Sequence, residues 1–116
     1  MPTYTTSPQT TDLQTYIFKA ANIDVAGKAD LIGASKTVHS MQISNGDGGV
    51  RYVSMWDATE ITAEYADVII PVNASSDMTV YIDNGITFSS RLCLNGSQAV
   101  TAGSDPTDLD ITVFAK

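Results

Sequence analysis

Residues 78–100, MTVYIDNGITFSSRLCLNGSQAV, carry the pattern on which the fold class turns. Met78, Val80 and Ile82 alternate with Thr79, Tyr81 and Asp83, the period of two that sends successive side chains to opposite faces of a strand. Asp83-Asn84-Gly85 then predicts a hairpin loop with glycine in the left-handed position. Beyond it, Ile86, Phe88, Leu92 and Leu94 share one face and Thr87, Ser89, Arg91 and Cys93 the other. Asn95-Gly96 predicts a two-residue turn into Gln98-Ala99-Val100.

The same rhythm extends in both directions. Residues 109–115 predict a last strand with Leu109, Ile111 and Val113 inward. Residues 68–72, VIIPV, form an apolar run that Pro71 pushes toward a sheet edge or strand end. Residues 36–43 and 50–57 flank Ser44-Asn45-Gly46-Asp47-Gly48-Gly49 and predict a hairpin. In the second of these strands Val50, Tyr52 and Trp56 lie on one face and Val53 and Met55 on the other. Both faces are partly apolar, so this strand belongs near the middle of a sheet or beneath a neighbouring subunit. Residues 13–19, LQTYIFK, have the β-branched and aromatic content of a strand. Residues 20–35, interrupted by Gly27 and Gly33, read as a loop with a short strand or a turn of helix.

Seven or eight short strands make an all-β protein, a two-sheet antiparallel β-sandwich of immunoglobulin-like or jelly-roll connectivity. Residues 13–116 are expected to form this one domain, since 116 residues suffice for one and not for two ordinary ones. Residues 1–12, MPTYTTSPQTTD, have almost no aliphatic content and predict an extended N-terminal arm, ordered only when something binds it.

Thirteen acidic against six scattered basic side chains give a net charge of −7, which repels phosphate backbones, so no nucleic acid partner is expected. The charge serves solubility, or keeps the outward face of a large assembly from self-association. The one cysteine, Cys93, allows neither an internal disulfide nor a zinc quartet. Met1-Pro2-Thr3-Tyr4 lacks a basic leader region, and the aliphatic run 68–72 is far below the ~20 residues of a spanning helix. Neither a signal peptide nor a membrane partner is expected.

Candidates for chemistry are few. His39, the one histidine, shares a face by parity with Met41 and Ile43 and reads as a satisfied, half-buried residue; general-base work would require a partner within hydrogen-bond reach. Cys93 lies beside Arg91, whose charge could activate an exposed thiol, but a small packing residue is the simpler reading. Asp57, Glu60, Glu64 and Asp67 surround one loop, Asp105, Asp108 and Asp110 another, and Asp47 sits among glycines. None has the spacing of a helical calcium loop, and the default is solvated loop charge, with a two-loop calcium site as the sharper reading. Asn73-Ala74-Ser75 and Asn95-Gly96-Ser97 match the glycosylation pattern but read as turns. Trp56, Tyr65, Tyr16 and Tyr4 could form a sugar platform, though aromatics in a small sandwich more often fill the core or a subunit contact. No catalytic residue, metal ligand or cofactor is expected.

The stretch Tyr52-Val53-Ser54-Met55-Trp56-Asp57-Ala58-Thr59, followed by Asp67-Val68-Ile69-Ile70-Pro71-Val72 and Gly85-Ile86-Thr87-Phe88-Ser89-Ser90-Arg91-Leu92, resembles a pattern in small structural proteins of tailed bacteriophages. The resemblance covers residues 50–116. It implies a virion component without enzymatic activity, a capsid decoration or cement protein on the capsid surface, made in the host cytoplasm. Its implied partners are the major capsid protein and copies of itself, with a homotrimer expected from threefold placement. Tyr4, Pro8, Tyr16, Trp56 and Tyr65 are the expected interface residues. A tail or head-vertex component, and a carbohydrate- or receptor-binding module, are the alternatives.

Overall fold

The computed structural model describes residues 2–10, 15–62, 66–100 and 103–116, with residues 6–10 described through their backbone alone. Among the described residues all regular structure is strand. The nine strands are β1 (Thr3–Thr10), β2 (Tyr16–Ala21), β3 (Lys28–Ile32), β4 (Lys36–Asn45), β5 (Arg51–Asp57), β6 (Val68–Val72), β7 (Ser76–Phe88), β8 (Leu92–Ser97) and β9 (Leu109–Ala115). They form a five-stranded sheet ordered β1-β2-β9-β4-β7 and a four-stranded sheet ordered β3-β8-β5-β6. All pairings are antiparallel.

The connectivity follows one rule: β2 pairs with β9, β3 with β8, β4 with β7 and β5 with β6. Four strands run out and four run back as one long antiparallel ribbon, whose pairs alternate between the two sheets as it wraps. This is the jelly roll, one of the two connectivities open to the sequence. The sheets bury their facing sides against each other, with Val38, Ile43 and Val113 from the larger sheet and Val53, Met55 and Leu94 from the smaller in one core cluster. Full burial of each such side chain contributes about 1.5–3 kcal/mol of transfer free energy. The final strand shows the expected alternation, with Leu109, Ile111, Val113 and Ala115 all at 2% exposure or less.

Three predicted turns take other forms. Residues 36–43 and 50–57 do become strands, but β4 and β5 lie in different sheets, so the glycine-dense connection crosses the sandwich and closes no hairpin. At Asp83-Asn84-Gly85 the backbone does turn left-handed, with φ of 64° at Asn84 and 72° at Gly85. The chain nevertheless continues as β7. Val38 faces Ile86 and Ser40 faces Tyr81, so residues 82–85 bulge out opposite His39 alone. A side chain at 85 would run into the Thr37 methyl and the Val38 carbonyl, which explains the glycine.

The bulge also corrects the parity of His39. Val38 and Met41, three apart, both point inward, and His39 is half-buried outside the core face. Asn95-Gly96, the third predicted turn, lies inside β8, where Gly96 opposes Val53. Its glycine serves close packing, since a Cβ there would stand 2.8 Å from Ile23 Cγ1 and 2.9 Å from Leu109 Cδ2. Asn73-Ala74-Ser75 is a turn, with Ser75 at a φ of 51°.

Phe88, Leu92 and Leu94 are fully buried as the alternation predicts, but Phe88 ends one sheet and Leu92 begins the other. Met78, at the start of β7, is 38% exposed, while Val80 and Ile82 pack partly against the core. Pro71 is exposed on β6, an edge of the smaller sheet, where its missing N–H costs no ladder bond. The segment 20–35 contains β3 and no helix.

Residues 3–10 are extended, as expected, yet they form the edge strand of the larger sheet rather than an arm clear of the sandwich. Tyr4 faces Ala20, and Thr10 faces Tyr16. Backbone pairing needs no aliphatic side chains, so a Thr/Ser/Gln-rich segment can enter a sheet that its composition alone would not nucleate.

Candidate functional site

The connections β2–β3, β4–β5, β6–β7 and β8–β9 gather at one end of the sandwich and are tied by polar side chains rather than left open. Asn45, buried at the end of β4, donates from its amide nitrogen to the carbonyls of Gly49 at 3.0 Å, Val72 at 3.1 Å and Asn73 at 3.0 Å. Its oxygen accepts from Asp47 N at 3.0 Å. The Asp47 carboxylate accepts from Arg51 Nε at 2.8 Å, from Thr107 N at 2.9 Å and from the Thr107 hydroxyl, and Asp47 O accepts from Ser75 N at 3.0 Å. Burial opposes ionisation of Asp47, but the hydrogen bonds from Thr107 and Arg51 and the guanidinium charge outweigh it and hold the carboxyl below its ordinary range.

Other carboxylates do the same work. Asp105 accepts from Val25 N at 2.9 Å and Asp110 from Asn22 N at 2.8 Å, fastening the β2–β3 connection to the chain around β9. At the opposite end Asp57 accepts from Ser90 N at 2.9 Å and Asp67 from Asp57 N at 2.7 Å. Among the described residues no three carboxylate, histidine or cysteine side chains gather within metal reach. Of the carboxylates expected as solvated loop charge, Asp47, Asp57, Asp67, Asp105 and Asp110 are loop ties, because a carboxylate is the strongest acceptor a short side chain can offer a backbone N–H, whereas Glu60 and Asp108 are exposed. Glu64 lies outside the described residues.

Cys93 is fully buried, and its thiol donates toward Ala29 O at 2.8 Å and Ala58 O at 3.1 Å. Burial pushes its pKa up against the pull of Arg91, the reverse of what an activated nucleophile requires. The packing reading of Cys93 holds.

The expected interface aromatics are not brought together. Tyr4 and Tyr16 lie on the core-facing side of the larger sheet, in register with the buried Ala20 and Ala115, and pack against the core. Lys36 Nζ stands 4.8 Å from the Tyr16 ring centroid. Trp56 belongs to the smaller sheet, opposite Cys93, and is 7% exposed. Trp56 is thus covered, whereas Tyr4 and Tyr16 are half-buried. Pro8 falls in β1, and its side chain, like Tyr65, is outside the described residues.

Tyr4 holds a further signature. Its hydroxyl is buried with no hydrogen-bond partner among the described residues, and burial, then the charge of Asp24, pushes its pKa to about 12. Removing an unsatisfied buried hydroxyl relieves its desolvation cost. Tyr4→Phe is therefore expected to leave the protein equally stable or about 1–2 kcal/mol more stable in urea unfolding. A comparable loss would show that the hydroxyl is bonded in solution.

The accessible surface of the larger sheet is organised in rows, because register aligns residues across strands. Asp110, Ser44 and Asp77 form one row over β9, β4 and β7; Thr112, Gln42 and Thr79 form the next; Phe114, Ser40 and Tyr81 form the third. The first two rows line an open groove of about 380 Å³. Tyr81 beside it is 81% exposed, the most open of the large hydrophobic side chains among the described residues. Sequence reasoning missed this site. The alternation of β7 placed Thr79 and Tyr81 outward, but their neighbours on β4 and β9 depend on long-range register.

Comparison with known proteins finds no family model, no curated protein and no solved structure that matches this chain.

Proposed function

We propose that the chain is a non-enzymatic virion structural protein of the tailed-bacteriophage type, a capsid decoration or cement protein that bridges and stabilises neighbouring coat subunits. The observation that carries this reading is the disposition of the larger sheet's edges. On one side lies β1, eight residues long and uncharged over Thr3–Thr10; on the other lies β7, 13 residues long and bonded only to β4 among the described strands. Two backbone edges on one rigid sheet can each add a strand from a neighbour, which lets one small protein span two subunits. Repetition around a symmetric shell multiplies such weak contacts.

The edges also discriminate. If two β7 strands paired about Val80, Asp77 of one would face Asp83 of the other, a like-charge contact that disfavours self-pairing through this edge. A coat subunit, or the neutral β1 of a second copy in a homotrimer, meets no such penalty. The jelly roll itself is frequent among capsid and lectin domains, which is support by fold analogy only.

Quantitative mass spectrometry of density-purified particles from the source culture tests the proposal. Copies comparable to the coat protein are expected; a handful would place the chain at the tail or vertex instead. Absence from the particles would overturn the virion reading. The second measurement uses a chain lacking residues 1–12. Its binding to undecorated particles is expected to weaken while its melting transition remains cooperative, and unchanged binding would remove β1 from the bridging role.

A further inference from the structure

We propose that the outer face of the larger sheet binds a short neutral oligosaccharide, with Tyr81 as its stacking platform and the Thr112-Gln42-Thr79 and Asp110-Ser44-Asp77 rows as its hydrogen-bonding floor. The chemistry of the three rows carries this assignment. A sugar presents C–H faces that pack on an aromatic ring and hydroxyls that both donate and accept. In the third row Ser40, a small residue, lies in register between Phe114 and Tyr81, next along the strands from the groove that the first two rows line. Tyr81 stands open at 81% exposure, whereas Tyr4 packs partly against the core and Trp56 is buried.

The middle row supplies one amide and two hydroxyls, groups that hydrogen-bond without charge in either direction. The acidic row supplies acceptors: Asp110 uses Oδ1 on Asn22 N, which leaves its second oxygen for a ligand donor, and Asp77 is exposed. Residues two apart on a strand are ~6.8 Å apart and neighbouring strands ~4.8 Å, so the three rows cover roughly 14 Å by 10 Å, the footprint of an oligosaccharide rather than a single ring. All these groups project from paired strands, so little ordering is required on binding.

Charge selects the class of sugar. Asp77 and Asp110 flank the groove, and the whole chain carries −7, so sialylated, sulfated or uronic-acid glycans are repelled both locally and at long range. The nearest cation in register is Lys19, opposite Thr112 on β2, at the far end of the middle row from β7. Neutral hexose and N-acetylhexosamine chains meet no such barrier. This site is independent of the virion proposal, since it concerns the isolated chain in solution.

The test is an amide-resolved NMR titration of the full chain with neutral trisaccharides, namely maltotriose, cellotriose and chitotriose, and with sialyllactose as the anionic control. Shifts confined to residues 40–44, 77–81 and 110–114 are expected from at least one neutral sugar, with a dissociation constant of about 1 mM and no response to sialyllactose. Tyr81→Ala should weaken binding about tenfold with its melting temperature unchanged, because the side chain contributes little to the core. Three results would overturn the proposal: no shift from any neutral sugar at about 10 mM, equal affinity for sialyllactose, or equal affinity in Tyr81→Ala. Shifts of the same residues that follow protein concentration without sugar would assign the face to self-association instead. Particle copy number is a separate readout, so either proposal can fail alone.

Discussion

Asp47→Ala is expected to lower the unfolding free energy by about 3–5 kcal/mol, a large part of the 5–15 kcal/mol that holds a typical domain together. The substitution strips Arg51 Nε, Thr107 N and the Thr107 hydroxyl of their acceptor at once, in a site where the Asp47 side chain is 4% exposed and that of Arg51 16%. An uncompensated guanidinium and an orphaned N–H remain, and each carries its own desolvation cost. The same carboxylate ties the β4–β5 connection to the approach to β9, so the damage reaches two crossings of the ribbon rather than one loop. Urea unfolding with an unchanged slope reads the loss directly, and the melting temperature should fall by roughly 15 °C. A change under 1 kcal/mol would show the network to be ornamental. Asp47→Asn keeps the shape and one acceptor, and its cost should be about half as large.

Asp47 also sets a pH dependence. In the unfolded chain its carboxyl protonates near 4, whereas in the fold it stays ionised to lower pH. Through that interval the unfolded chain binds more protons, so stability rises with pH there. The contribution is complete above about pH 5 and is lost as pH falls through the folded-state value. Unfolding measured between pH 2 and pH 6 should therefore be flatter in Asp47→Asn than in the parent, where these limits are approximate bounds of the carboxylate range. Equal slopes would show that Asp47 does not carry the acid sensitivity.

Gly96→Ala is expected to cost about 2–3 kcal/mol, from overpacking rather than from backbone strain. The new methyl would stand 2.8 Å from Ile23 Cγ1 and 2.9 Å from Leu109 Cδ2, and both residues have 0% exposure, so neither side chain has space to yield. Gly96 N also donates to Asp24 O at 2.9 Å, which holds the 22–27 segment against β8 and prevents escape by a backbone shift. Trimming the neighbour separates the two explanations. Ile23→Val in the Gly96→Ala background should recover part of the loss, a coupling of about 1 kcal/mol in a double-mutant cycle. Strict additivity would mean that the alanine acts through its local conformation.

The amino-acid sequence by itself determined the class of structure. The two-residue alternation of Leu109, Ile111 and Val113, the apolar run from Val68 to Val72 and the absence of any sustained helical period already define strands with a buried face, because side-chain direction in a strand is a local property. It determined less about glycine. Asn84-Gly85 and Asn95-Gly96 look alike as turn signals, yet one makes a bulge opposite His39 and the other admits Ile23 and Leu109 against β8. Which role applies depends on what packs there, and that is set by residues far away in the chain.

Tertiary structure alone decided the strand partners. In a jelly roll β2 must find β9 and β3 must find β8, so local turn chemistry points to neighbours in sequence while the stable pairs are distant ones. It also decided the fate of the aspartates, whose solvated appearance gave no hint of the backbone N–H groups they accept. The rows Phe114-Ser40-Tyr81 and Thr112-Gln42-Thr79 exist only once β9, β4 and β7 are aligned. Periodicity records which way a side chain points; only long-range register, fixed by burying one face of every strand in a common core, determines what it stands beside.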